Sequence, residues 1–98
     1  METLLRTLAD ENRRAMLEQL RMRPATVNEL AAQLPIARPG VSRHLRVLRE
    51  VGLVEVRPDG QRRIYALKPN GLQRIDDWIT PYRRFWRDHL AAPRLETP

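Results

Sequence analysis

The 98-residue chain contains no cysteine, which excludes disulfides, thiolate metal sites and cysteine nucleophiles. A cysteine-free composition fits a reducing compartment, and a cytoplasmic setting is expected. Lysine is nearly absent: Lys68 is the only one, beside 17 arginines. Aromatic side chains number five, and none lies between residues 37 and 64. No run approaches the roughly 18 apolar residues of a membrane span, so no membrane partner is expected. The opening METLLRTLADENRR is amphipathic and charged, without the basic-then-apolar layout of a secretory signal. There is no glycine-rich phosphate loop and no nucleophile–base motif, so enzyme chemistry is not expected. Asp76 and Asp77 are adjacent, and neighbours on a helix diverge by about 100°. They form a solvated face rather than an acid–base pair.

What the chain has is positive charge in one place. Residues 37–68 hold eight basic groups (Arg38, Arg43, Arg46, Arg49, Arg57, Arg62, Arg63 and Lys68) and three acids (Glu50, Glu55, Asp59), a balance of +5. The rest holds ten basic and nine acidic residues, a balance of +1. An arginine-rich composition explains the choice of Arg over Lys but not the clustering. A concentrated positive field favours a polyanionic partner.

Punctuation divides the chain, and its length suits one small domain. TLLRTLAD predicts a short amphipathic helix with Leu4, Leu5 and Leu8 on one side. Asp10 can cap a second helix running to about Leu20, with Ala15, Met16, Leu17 and Leu20 inward, and Pro24 stops it. Thr26–Glu29 reads TVNE, a capping box, and opens a third helix of about nine residues with Val27, Leu30, Ala31 and Leu34 as its stripe. Pro35 ends it. A fourth helix starts near Arg38–Pro39, with Val41, Leu45 and Leu48 at i, i+4 and i+7 and Ser42, Arg43, Arg46 and Arg49 between them. Gly52 falls where a left-handed helix end is needed, with Leu53 as its apolar contact. Two β-rich runs flank Pro58-Asp59-Gly60-Gln61, a hairpin signal. From Pro69 or Asn70 to Leu90 the pattern is helical again, and Pro81 must kink that helix or start a second one with Thr80 as cap. The tail APRLETP is expected to fray.

The expected fold is mainly α with a β-hairpin wing (α+β), a winged helix-turn-helix of order α-α-α-α-β-β-α spanning residues 1–98. Residues 26–50 form the helix-turn-helix and 53–67 the wing. A DNA major groove, about 12 Å wide, admits one helix, and the helix's first residues reach base edges. Arg38, Pro39, Gly40, Ser42 and Arg43 would lie there, and Arg46, Arg49, Arg57, Arg62 and Arg63 along phosphates or in the minor groove. His44 packs under the helix and bonds a neighbouring element; the alternative is contact with a phosphate or base. Double-stranded DNA is the expected partner. A protein-interaction module without sequence-specific DNA binding is the alternative, since the arginine face could meet an acidic surface. RNA is disfavoured, because the A-form major groove is too narrow and no aromatic is placed for base stacking.

The residues at 1–9 and 70–90 carry more apolar surface than so small a core uses. Leu4, Leu5, Leu8, Leu72, Ile75, Trp78, Ile79, Tyr82, Phe85 and Trp86 are the expected interface of a two-fold homodimer. The aromatic strip could also border a pocket for a small-molecule effector, which nothing in the sequence names.

LADENRRAMLEQL, TVNELAAQL and RPGVSRHLRVLREVGLVEVRPDGQRRIYAL resemble the ArsR-type (ArsR–SmtB) family of bacterial transcriptional repressors over about residues 3–90. The resemblance implies a homodimer, operator binding by the helix around Val41–Glu50, and control by an effector. Three positions depart from the family pattern: Ala37 replaces a Ser-type cap, Arg38 a Gln, and Gly40 an Ala. Losing the cap costs about 0.5–2 kcal/mol and a helical Gly roughly 1 more. The family's cysteine metal site is missing from TVNELAAQL. Of its last-helix metal pattern, Asp76 and His89 hold two positions, while Trp78 and Ala92 occupy the others. Two ligands per chain cannot close a tetrahedral site. No metal or other cofactor is expected, and the chain resembles a metal-site-poor subgroup.

Overall fold

The computed structural model describes residues 1–91. The elements are α1 (Glu2–Leu8), α2 (Glu11–Met22), α3 (Val27–Gln33), α4 (Arg38–Glu50), β1 (Val54–Asp59), β2 (Arg62–Leu67) and α5 (Gln73–Ala91). The order is the one the sequence pattern predicts, a mainly helical fold with a two-stranded antiparallel wing. APRLETP and Ala92 lie outside the described residues.

Local chemistry sets the helix ends. The Asp10 carboxylate accepts from the Arg13 backbone N–H at 3.1 Å and caps α2. At α3 the Thr26 hydroxyl accepts from Glu29 N–H, and Glu29 accepts from Thr26 N–H, closing the capping box. The C-terminus of α4 is a Schellman turn: Gly52 N–H donates to Arg49 O, and Leu53 N–H to Leu48 O. Gly52 takes φ 87°, which an L side chain resists. The α4 start has no side-chain cap, as Ala37 predicts.

The capping bond from Arg13 N–H holds the Asp10 carboxyl below its ordinary value of 3.8, and partial burial opposes this. A depressed folded-state pKa contributes stability that is present above 3.8 and lost as pH falls through the lower value. Asp10→Ala is expected to cost about 0.5–2 kcal/mol at neutral pH. Asp10→Asn should keep most of the cap while flattening the acid limb of the stability profile. Thermal melts between pH 2 and 7 check both.

The core gathers Leu4, Met16, Leu20, Ala25, Leu30, Val41, Leu45, Leu48, Leu53, Val54 and Tyr65. Val41, Leu45 and Leu48 are each 0% exposed, so the stripe predicted for the fourth helix is the inward face of α4. Ala25 adds a bridge that the sequence did not suggest. Its N–H donates to Tyr65 O at 2.9 Å, and its carbonyl accepts from Tyr65 N–H at 2.8 Å. This isolated bridge holds the start of α3 against β2.

Three expectations need correction. Leu4, expected on the partner face, is 2% exposed within the chain's own core. Since α1 packs on α2, Leu4 and Leu8 turn inward and Leu5 is left outward. Second, the hairpin loop is Gly60–Gln61, with Asp59 paired to Arg62. Glycine takes φ 64° at the first central position, so the Asp-Gly step straddles strand and turn. Third, α5 begins at Gln73 and runs unbroken through Pro81. Thr80 is no cap: its hydroxyl bonds back to Asp76 O at 2.6 Å.

Residues Lys68–Leu72 form a turn before α5. A Cβ at Gly71 would lie 2.9 Å from Gly52 O and 3.1 Å from Leu53 Cα. This linker is therefore pressed onto the end of α4. Beyond it, α5 has no buried residue. Nineteen residues reach about 28 Å, and the molecule measures 64 × 25 × 24 Å. Trp78, Tyr82, Phe85 and Trp86 are exposed along α5 and Leu72 just before it, whereas Ile75 packs against the core and Ile79 is half-buried.

Candidate nucleic-acid interface

The helix-turn-helix positions α4 by burying one face only. Ser42, Arg43, Arg46 and Arg49 are exposed on the other, with Arg38 and Pro39 exposed at its start. Gly40 is half-buried, and a Cβ there would meet only Ile36 Cβ at 4.0 Å. The glycine is not required by packing. On the wing, Arg57, Arg62 and Arg63 are exposed.

Several arginines elsewhere in the chain are engaged within it. Arg6 pairs with Glu2, Arg21 with Glu18 and Arg83 with Asp76. Arg14 donates to the Leu8 and Ala9 carbonyls that end α1. Among the described residues, only Arg62 of the seven arginines between 37 and 68 has an ionic partner, Glu29 at 3.9 Å. Both of those side chains are mostly exposed, so the pair is weak. Capping by Thr26 chiefly, and Arg62 to a lesser degree, holds the Glu29 carboxyl low.

The basic groups fall into two clefts. Arg38, Arg62 and Arg63 line one with Thr26, Val27, Asn28 and Gln61, and no acid lines it. Here the tip of the wing meets the first turns of α3 and α4. The second lies between α4 and β1: Arg46, Arg49 and Lys68 share it with Glu50 and Glu55, so its field is weaker. Arg43, Ser42, Pro39, Gly40 and Arg57 line neither. Asn28, Gln61 and Lys68 are polar groups that sequence reasoning did not assign. Their signal is tertiary, because the Ala25–Tyr65 bridge brings Asn28 to the wing.

His44 is half-buried and bonded to α2, with Arg13 Nε donating to its Nδ1 at 3.2 Å. Among the described residues no three His, Cys, Asp or Glu side chains gather as a metal site. Asp76 instead pairs with Arg83 at 2.8 Å, and His89 Nδ1 bonds Phe85 O at 2.7 Å.

A family model described as a helix-turn-helix domain matches residues 8–57, from the end of α1 into the wing. The HTH-type transcriptional regulator Rv2034 of Mycobacterium tuberculosis is 48% identical over 85 residues, covering 87% of this chain and 77% of that protein. The chain belongs to the ArsR–SmtB family. An ArsR-like transcriptional regulator from Rhodococcus sp. RHA1 superposes with a TM-score of 0.75 at 27% identity, covering 92% of this chain and 85% of that one. The transcriptional repressor SdpR of Bacillus subtilis is 27% identical over 79 residues, 81% of this chain and 88% of that protein. This ArsR–SmtB protein is thus a winged-helix, DNA-binding transcriptional regulator. No helix among its described residues is long and apolar enough to cross a membrane.

Proposed function

We propose that this regulator acts as a homodimer on a palindromic operator and represses by occluding the promoter. The observation that carries the reading is the acid-free cleft of Arg38, Arg62 and Arg63 at the open end of α4. Arg38, Pro39, Gly40, Ser42 and Arg43 meet base edges. Arg46, Arg49, Arg57, Arg62 and Arg63 meet phosphates or the adjacent minor groove. The exposed strip on α5, with Leu5 of α1, supplies the two-fold contact. A two-fold dimer presents its recognition helices about 34 Å apart, one turn of duplex. Release by a small molecule fits an apolar cleft of about 330 Å³ between α2 and the Lys68–Leu72 linker, lined by Leu17, Leu53, Leu67 and Leu72.

Selection of bound fragments from genomic DNA tests this. An inverted repeat with half-sites about ten base pairs apart is expected. Equal retention of all duplexes sinks the reading and favours docking on an acidic protein. The wing makes a separate prediction. Neutralising Arg62 and Arg63 in each subunit should weaken every duplex alike. It should lower the slope of log K against log salt by about 0.9 for each phosphate no longer neutralised. Binding measured across a series of salt concentrations reads this, and an unaltered slope removes the wing from the interface.

A further inference from the structure

We infer that Arg13 and His44 form a positioning pair that fixes the recognition helix relative to the dimer-forming helix α1. The inference rests on the operator reading above but concerns residues outside the proposed DNA contacts. Arg13 lies in the first turn of α2 and is half-buried. Its side chain meets two other elements. Nε donates to His44 Nδ1 of α4 at 3.2 Å, and Nη1 reaches the Thr7 carbonyl in the last turn of α1, at a longer 3.5 Å. Its own backbone N–H is held by Asp10. One guanidinium thus spans α1, α2 and α4.

The chemistry fixes the histidine. A guanidinium only donates, so Nδ1 must accept. The ring is then neutral, with its proton on Nε2. His44 follows Arg43 directly and sits six residues after Arg38, about 9 Å along the helix axis. A change of tilt at His44 is carried to both arginines. The core stripe Val41–Leu45–Leu48 sets which face of α4 turns inward, and the finer tilt within that packing needs a further restraint. A directional bond supplies that restraint. Arg13 and His44 are positioning residues here, and neither is a base-reading contact.

Two substitutions separate this role from direct contact. In His44→Asn the amide oxygen lies near the place of Nδ1 and can still accept from Arg13. In His44→Gln the polar end lies near Nε2, and the Arg13 acceptor is lost. With a duplex from the selection above, His44→Gln should bind about tenfold more weakly, the worth of one hydrogen bond to a charged group. His44→Asn should stay within about twofold of wild type. The salt slope should be unchanged in both, since every phosphate ligand is still present. Arg13→Lys combined with His44→Gln should be no weaker than the worse single variant. Far-UV circular dichroism shows that each variant is folded.

Equal losses for Asn and Gln overturn the pair, as does additivity in the double variant. The reverse order, Gln retained and Asn weakened, makes His44 a phosphate ligand through Nε2 and also overturns it. Nitrogen NMR of the free protein should find the proton on Nε2; a proton on Nδ1 refutes the bond whatever the DNA result. If the wild-type chain prefers no duplex, the operator reading falls alone. The ring spectrum and the same double-mutant cycle on unfolding temperature still judge the pair.

Discussion

Changing Trp78 and Phe85 to serine is expected to leave a folded monomer in place of the proposed homodimer and to abolish the proposed tight operator binding. Trp78 is 54% exposed and Phe85 61%, so neither holds up the chain's own core. Trp78 lies against Tyr82 with ring centroids 5.4 Å apart, one end of an aromatic strip along a helix with no buried residue. An aromatic side chain buries about 150–250 Å² at an interface, and apolar area removed from water stabilises by roughly 25 cal/mol per Å². Two-fold symmetry counts each loss twice. The double variant then weakens association by many powers of ten, and single substitutions by about 10³-fold or more. A monomer presents one recognition helix and loses the second half-site. Sedimentation and operator binding should fail together while the melting temperature stays near wild type. A variant that melts early but remains dimeric would place these rings inside the chain's own stability instead.

Arg43→Ala carries the second large effect. Arg43 is exposed on α4, with no hydrogen-bond or ionic partner among the described residues. An uncommitted guanidinium at this point of the helix is free to pair with O6 and N7 of guanine. Its loss should cost about 1–3 kcal/mol of operator affinity, and it should relax preference at one base pair in each half-site. Arg43→Lys is the sharper probe. It keeps the charge but not the planar fork, so it should keep nonspecific affinity and lose discrimination. Competition binding with operators changed one base pair at a time measures both. Uniform weakening across all sequences would move Arg43 to the phosphate backbone, and unaltered operator affinity would remove it from the interface.

Several parts of the site were legible because their causes are local. The capping box at Thr26–Glu29, the left-handed Gly52 and the apolar spacing of Val41, Leu45 and Leu48 each act within one or two turns. Periodicity alone therefore located the recognition helix and its exposed face. Leu4 was misplaced for a definable reason. A helix with apolar residues at 4, 5 and 8 has one broad stripe, and which edge of it faces α2 is a packing outcome. The role of Thr80 stayed open because a hydroxyl can bond forward as a cap or back to a carbonyl, and the sequence permits both.

Composition, clustering of charge and helical punctuation by themselves determined the class: a small winged helix with an arginine-rich face and a surplus of apolar surface near both ends. They act through covalent geometry and local hydrogen bonds, which need no distant partner. Only the tertiary structure decided which cations stand together. Arg38 of α4 stands in one cleft with Arg62 and Arg63 of the wing, while Glu50 and Glu55 fold beside Arg46 and Arg49. It also decided that Arg13, 31 residues from His44, holds the ring of the recognition helix. Contacts between distant residues depend on how helices cross, and a periodic pattern specifies the face of a helix without specifying what that face will meet.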